Sequence, residues 1–152
     1  MASSATSNLS RGASRALLPN NSRKSWISPG QTRALLSIRP SYAEAIFRGE
    51  KRFEFRRAIF RKSVDVVVVY ITSPTSLVVG EFDVTGVISD SVEDLWNRTR
   101  RHAGIERELF FNYFRGRDVG HAIAIGSVRK YAAPLELAAA FGVRAPQSFV
   151  YV

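Results

Sequence analysis

Beyond residue 33 the chain alternates short apolar blocks with polar turns, and each block has its own period. Residues 34–38 form an apolar run that stops at Arg39-Pro40. A residue before proline is driven to extended geometry, so a strand is expected to end there. Pro40 then suits the first turn of a helix. Over 41–48, Tyr42, Ala43, Ala45, Ile46 and Phe47 give that helix an apolar face, and Gly49 supplies its C-terminal cap. Residues 51–57 alternate strictly. Phe53 and Phe55 point one way and Arg52, Glu54 and Arg56 the other, as in a half-buried strand. Residues 64–72 are nearly all β-branched, which fits a strand covered on both faces. Ser73-Pro74 turns the chain, and 76–88 is expected to be a long strand or a bent pair, with Gly80 and Gly86 as bulge points.

Ser91 is placed to cap a helix over 92–101, with Glu93 and Asp94 at its positive end and Arg98, Arg100 and Arg101 at its negative end. Gly104 separates this helix from a second one over 106–114, where Leu109, Phe110, Tyr113 and Phe114 recur at helical spacing. Gly116 and Gly120 bracket a turn, and 121–128 is expected to be a strand. Pro134 is expected to open a short helix that ends at Phe141-Gly142, and 147–152 to close the chain as a strand. The order β-α-β-β-β-α-α-β-α-β has too many strands per crossover helix for a doubly wound parallel sheet. An α+β fold is expected, a mixed and largely antiparallel β-barrel decorated with short helices. No internal repeat is visible.

Composition adds a boundary. Residues 1–33 hold eight serines, three asparagines, five basic residues (Arg11, Arg15, Arg23, Lys24, Arg33) and no acid. Such a segment buries too little apolar surface to offset its ordering entropy, so 1–33 is expected to be a disordered tail and 34–152 one folded domain. The tail fits an inert extension, an electrostatic arm or an organellar transit segment; it lacks the apolar core of a secretory signal. The whole chain of 152 residues carries +9, but the 17 basic and 13 acidic residues of 34–152 leave only +4 there. A basic balance favours a polyanionic partner, nucleic acid first. The absence of cysteine excludes disulfides, thiolate metal sites and thiol catalysis. His102 and His121 lack metal-ligand spacing, and no motif calls for a cofactor. The longest apolar run, 66–71, is far short of the ~20 residues a membrane helix needs, so no membrane partner is expected and the address is taken as cytoplasmic.

The candidate chemistry sits in 37–57. Arg52, Glu54 and Arg56 fall at i, i+2 and i+4, about 6.6 Å apart along one strand face. A carboxylate between two guanidinium groups can hold one in place while its fork stays free for a phosphate or a base edge. Charges on an outward strand face are otherwise merely solvated. Lys51, at the strand start, has no fixed direction from alternation. Phe110, Phe111, Tyr113 and Phe114 either stack on bases or build core; helical spacing favours core, with Tyr113 the residue whose polar tip would reach a cleft. Arg98, Arg100, Arg101 and His102 either contact phosphates or simply complement a helix end. His121 suits an edge position better than acid–base work. Gln147 and Ser148 can read a base edge or bond to a turn.

The stretches LLSIRP and GEKRFEFRR, then HAGIERELFFNYFRGRDVGHAIAI, then APQSFVYV resemble, in that order, the ASCH domain family of the PUA-like superfamily. The resemblance covers 34–152 and implies a PUA-like β-barrel with a cleft between barrel and helices, and binding of RNA or of a modified nucleotide. It carries the family's motif face onto Lys51, Glu54 and Arg56, with Ser37 and Arg39 nearby. One branch resembles an amidohydrolase acting on acetylcytidine that uses a lysine, a threonine three residues on and a distal glutamate. Here Lys51 is present, Glu54 stands in the threonine's place, and Glu106 matches the distal glutamate poorly. The expected function is therefore an RNA- or nucleotide-binding module, with a hydrolase or ribonuclease using Lys51 and Glu54 as the alternative.

Overall fold

A computed structural model describes residues 30–152. Its elements are β1 (Arg33–Ile38), α1 (Pro40–Arg48), β2 (Phe53–Arg56), β3 (Val66–Ile71), β4 (Leu77–Ser91), α2 (Val92–Thr99), a 3-10 turn (Arg100–His102), α3 (Arg107–Tyr113), β5 (Val119–Leu135), α4 (Leu137–Phe141) and β6 (Phe149–Tyr151). The order of strands and helices is the one the periodicity predicts.

The six strands form one mixed sheet in the order β2-β5-β4-β3-β1-β6. β1 and β3 are parallel and every other pairing is antiparallel. A parallel pair needs a crossover, which α1 and β2 supply. The sheet curls into a half-barrel, leaving β2 and β6 as its edges. Inside the curl, Leu36, Ile38, Val67, Val69, Phe82 and Ile123 pack with Ala43 and Ile46 of α1. On the reverse face, Leu35, Val68, Tyr70, Val78 and Tyr131 lie with Leu137 of α4. β3 is thus covered on both sides, as its nearly all β-branched, wholly apolar run requires. A third cluster seats α2 and α3 on β2 and β5 through Leu95, Phe110, Phe114, Phe55 and Ala122.

The seam between the two edge strands is bridged by side chains. Arg56 Nη2 donates to the Ser148 carbonyl at 2.6 Å. In the segment after β2, Phe60 packs edge-on against Phe149 at 4.9 Å between ring centroids, and the Arg61 N–H donates to the Tyr151 hydroxyl at 3.1 Å.

Several expectations need correction. Arg33, assigned by composition to the tail, begins β1, is 3% exposed and pairs with Glu81 at 2.9 Å. The rest of the tail, 1–29, lies outside the described residues. The helix over 92–101 ends as α2 at Thr99, and its arginine-rich end tightens into the 3-10 turn. β5 runs far beyond 128 because β4 offers it a partner of nearly equal length. Pro134 opens no helix: it lies in β5, where the register jumps from Gly80↔Lys130 to Val78↔Leu135. A proline is tolerated at such an irregularity because it has no N–H to give to the ladder. The helix begins at Leu137, capped by Glu136, whose side chain accepts from the Ala138 N–H. The closing strand is only Phe149–Tyr151.

Candidate functional site

A cavity of about 250 Å³ opens beside the seam, between the end of β1, the start of α1, β2 and α3; Lys51, Glu54, Arg56, Tyr42 and Tyr113 are among its lining residues. It falls just below the roughly 300 Å³ where small-molecule sites begin.

Lys51 is the central cation. Gly49 adopts φ 83° and ends α1, so the chain turns and carries Lys51 inward. The side chain is buried, 2% exposed. Its Nζ donates to the Ala103 carbonyl at 2.7 Å and lies 5.0 Å from the Tyr42 ring and 4.8 Å from the Phe55 ring. An ammonium has three donors, so two remain for a ligand. Burial lowers the Lys51 pKa, and the Glu54 carboxylate opposes that shift only in part. The backbone docks in the same place: the Arg52 N–H donates to the His102 carbonyl at 2.8 Å, joining the start of β2 to the 3-10 turn.

Glu54 is 6% exposed, and its Oε1 accepts from Arg56 Nη1 at 3.2 Å. Oε2 has no hydrogen-bond partner among the described residues. Arg56 therefore spans two tasks, pairing with Glu54 and fastening the Ser148 carbonyl. The outward face of the expected half-buried strand is thus covered. Phe55 packs against Phe110 at 4.9 Å on one side, while Glu54 and Arg56 line the cavity on the other.

The other candidates divide. Ser37, Arg39 and Tyr113 line the cavity, although the Ser37 hydroxyl donates to the Pro146 carbonyl at 2.7 Å. Arg57 lies over the Tyr113 ring at 4.8 Å. Arg52 does not join: it is exposed and outside the lining, so the row of three charges contributes two. Its place is taken by Lys51. Gln147 is exposed and neither it nor Ser148 lines the cavity; Ser148 takes part through its carbonyl instead. Glu106 flanks α3 and lines nothing here, and His121 bonds Ser89 at 2.7 Å outside the cavity. Arg98 is held by Asp90 at 3.1 Å. Phe110 and Phe114 are core, as their spacing suggests. Sequence reasoning missed Tyr42, Ile105, Leu109 and Asn112 as lining residues. The sequence shows Tyr42 and Leu109 only as members of apolar faces, and no period marks which member of such a face borders a hollow.

A family model described as ASCH domain matches residues 36–146. A protein of Ureaplasma parvum serovar 3 named ATP synthase subunit alpha is 34% identical over 119 residues, which is 78% of this chain and 15% of that protein. The chain thus spans only a small part of that relative's length. An ASCH domain-containing ribonuclease of Zymomonas mobilis is 30% identical over 98 residues, covering 64% of this chain and 66% of that protein. The crystal structure of ASCH from Zymomonas mobilis superposes with a TM-score of 0.74 at 26% identity, over 79% of this chain and 87% of that one.

Proposed function

The chain belongs to the ASCH domain family, and we propose that its cavity binds a single nucleotide of single-stranded RNA. The observation that carries this is a buried cation and a buried carboxylate, Lys51 and Glu54, lining one hollow walled by aromatic rings. The free donors of Lys51 meet a phosphate or a base carbonyl. The free Oε2 of Glu54 accepts from an exocyclic amine, the pairing a carboxylate makes with cytosine. Tyr113 supplies a ring for stacking at the rim, where Arg57 already lies over it. The Zymomonas mobilis relative named as a ribonuclease supports RNA as the ligand class.

Fluorescence anisotropy with a labelled single-stranded RNA tests this. Affinity should fall with salt at a log–log slope of about −0.7 for each phosphate neutralised. Lys51→Ala should weaken binding at least tenfold. A flat salt response, or unchanged binding in Lys51→Ala, overturns the reading.

One observation favours cleavage as a second reading. Lys51 and the Glu54 carboxylate line one cavity, and burial lowers the Lys51 pKa, which favours the neutral amine that a general base requires. It can take the proton of a ribose 2′-hydroxyl as that oxygen attacks the adjacent phosphorus and the 5′-oxygen leaves. RNA should then be cut while DNA and 2′-O-methyl RNA are bound intact, and Lys51→Arg should bind without cutting. Acetylcytidine belongs in the same assay, because deacetylation there with RNA left uncut assigns the lysine to amide hydrolysis.

A further inference from the structure

We propose that α3 carries a second contact surface for RNA, a shallow groove where Arg107 and Arg115 hold the phosphates flanking the nucleotide in the Lys51 cavity. This rests on the reading of that cavity given above.

The groove is an open surface of α3 and the turn after it, formed by Arg107, Glu108, Leu109, Phe111, Asn112 and Arg115. Leu109 and Asn112 line the Lys51 cavity as well, so the two hollows adjoin along α3. The packing of α3 explains the arrangement. The helix turns Phe110 and the adjoining Phe114 into the core, which leaves Leu109 and Asn112 facing outward. Leu109 is 52% exposed, an apolar side chain with no cover among the described residues.

The groove carries two arginines and one glutamate. Among the described residues neither Arg107 nor Arg115 makes an ion pair. Arg107 lies over the Phe111 ring at 4.8 Å, a contact that holds a guanidinium in place without satisfying its charge. Glu108 also lines the groove, so the groove has one acidic member; two cations facing one carboxylate still favour a polyanion. Arginines for phosphates, an apolar side chain for a base face and an amide at the junction for a base edge are the groups a single strand uses. A duplex fits poorly, because the base entering the cavity has to leave its stack.

The test uses the full chain, a mononucleotide and RNA oligomers of increasing length up to ten nucleotides. Wild-type affinity should climb with length. The Arg107→Ala, Arg115→Ala double variant should bind the mononucleotide as wild type does, yet lose about tenfold on the ten-nucleotide RNA, with its salt slope shallower by about 1.4 for two phosphates. Lys51→Ala should weaken every length. Undiminished affinity and slope in the double variant overturn the groove while leaving the cavity standing. Loss of ten-nucleotide binding in the double variant with no effect of Lys51→Ala overturns the cavity reading, and with it the adjacency on which the groove depends. Equal binding of an acidic peptide such as a glutamate decamer overturns RNA as the occupant.

Discussion

At the scale of single residues, Lys51 is a charge kept at a cost. Burial lowers its pKa below the ordinary 10.5. Between the lowered value and 10.5 the unfolded chain therefore binds more protons than the folded one, so this residue makes stability rise with pH across that window. Lys51→Met removes the effect. The stability of the variant relative to wild type should shrink as the pH goes from 7 to 10, and thermal melts of both proteins read it directly; a gap that stays constant means the ammonium is not penalised. Gly104 is the second residue to probe. It sits at φ +64°, and a Cβ there would overlap Cβ and Cγ of Lys51. Gly104→Ala must strain the turn and push Lys51 aside, at about 2–4 kcal/mol. Urea denaturation should show that loss, and nucleotide affinity should fall with it because Ala103, the acceptor of Lys51, moves too.

At the scale of elements, β2 decides both closure and site. Arg56 ties it to the segment before β6 and pairs with Glu54. Arg56→Ala leaves a buried carboxylate without its partner, a loss of about 3 kcal/mol or more. Amide exchange in β6 should accelerate more than in β3, because β6 is an edge strand held on one side by β1 alone. Equal acceleration everywhere would mean the clasp is only one more ion pair. β2 also shows what could be read without coordinates. Its strict alternation identified a strand and put Glu54 and Arg56 on a common face. Alternation has no term for what lies opposite a face, so it could not tell that this one borders a cavity while α3 packs on the Phe55 side, nor that the turn at Gly49 brings Lys51 into the site in place of Arg52. Pro134 failed for a related reason. Its missing N–H suits a helix start and a register break in a long strand equally well, and only the pairing of β5 with β4 distinguishes them.

At the scale of the whole molecule, the cavity joins elements far apart in sequence, and part of the positive charge lies in residues 1–29, outside the described residues. A nucleotide bound in the cavity would contact β1, α1, β2 and α3 at once, so its binding energy would add to global stability. At a hundred times its dissociation constant a ligand contributes about 2.7 kcal/mol, roughly 10 °C in Tm for a fold of this size. Residues 1–29 contribute Arg11, Arg15, Arg23 and Lys24 and no acid, while 30–152 holds 18 basic and 13 acidic residues. Screening limits exposed charges to about 10 Å at ordinary salt; if 1–29 acts as the electrostatic arm its charge suggests, its four cations would add to RNA binding only where a strand is long enough to meet them. Deleting 1–29 should therefore leave the mononucleotide's Tm shift intact while making the salt slope for a long RNA shallower. The alternative of an inert extension predicts no change in either measurement. A mononucleotide shift that disappears on deletion would place part of the nucleotide site in 1–29 and refute a cavity complete within the fold.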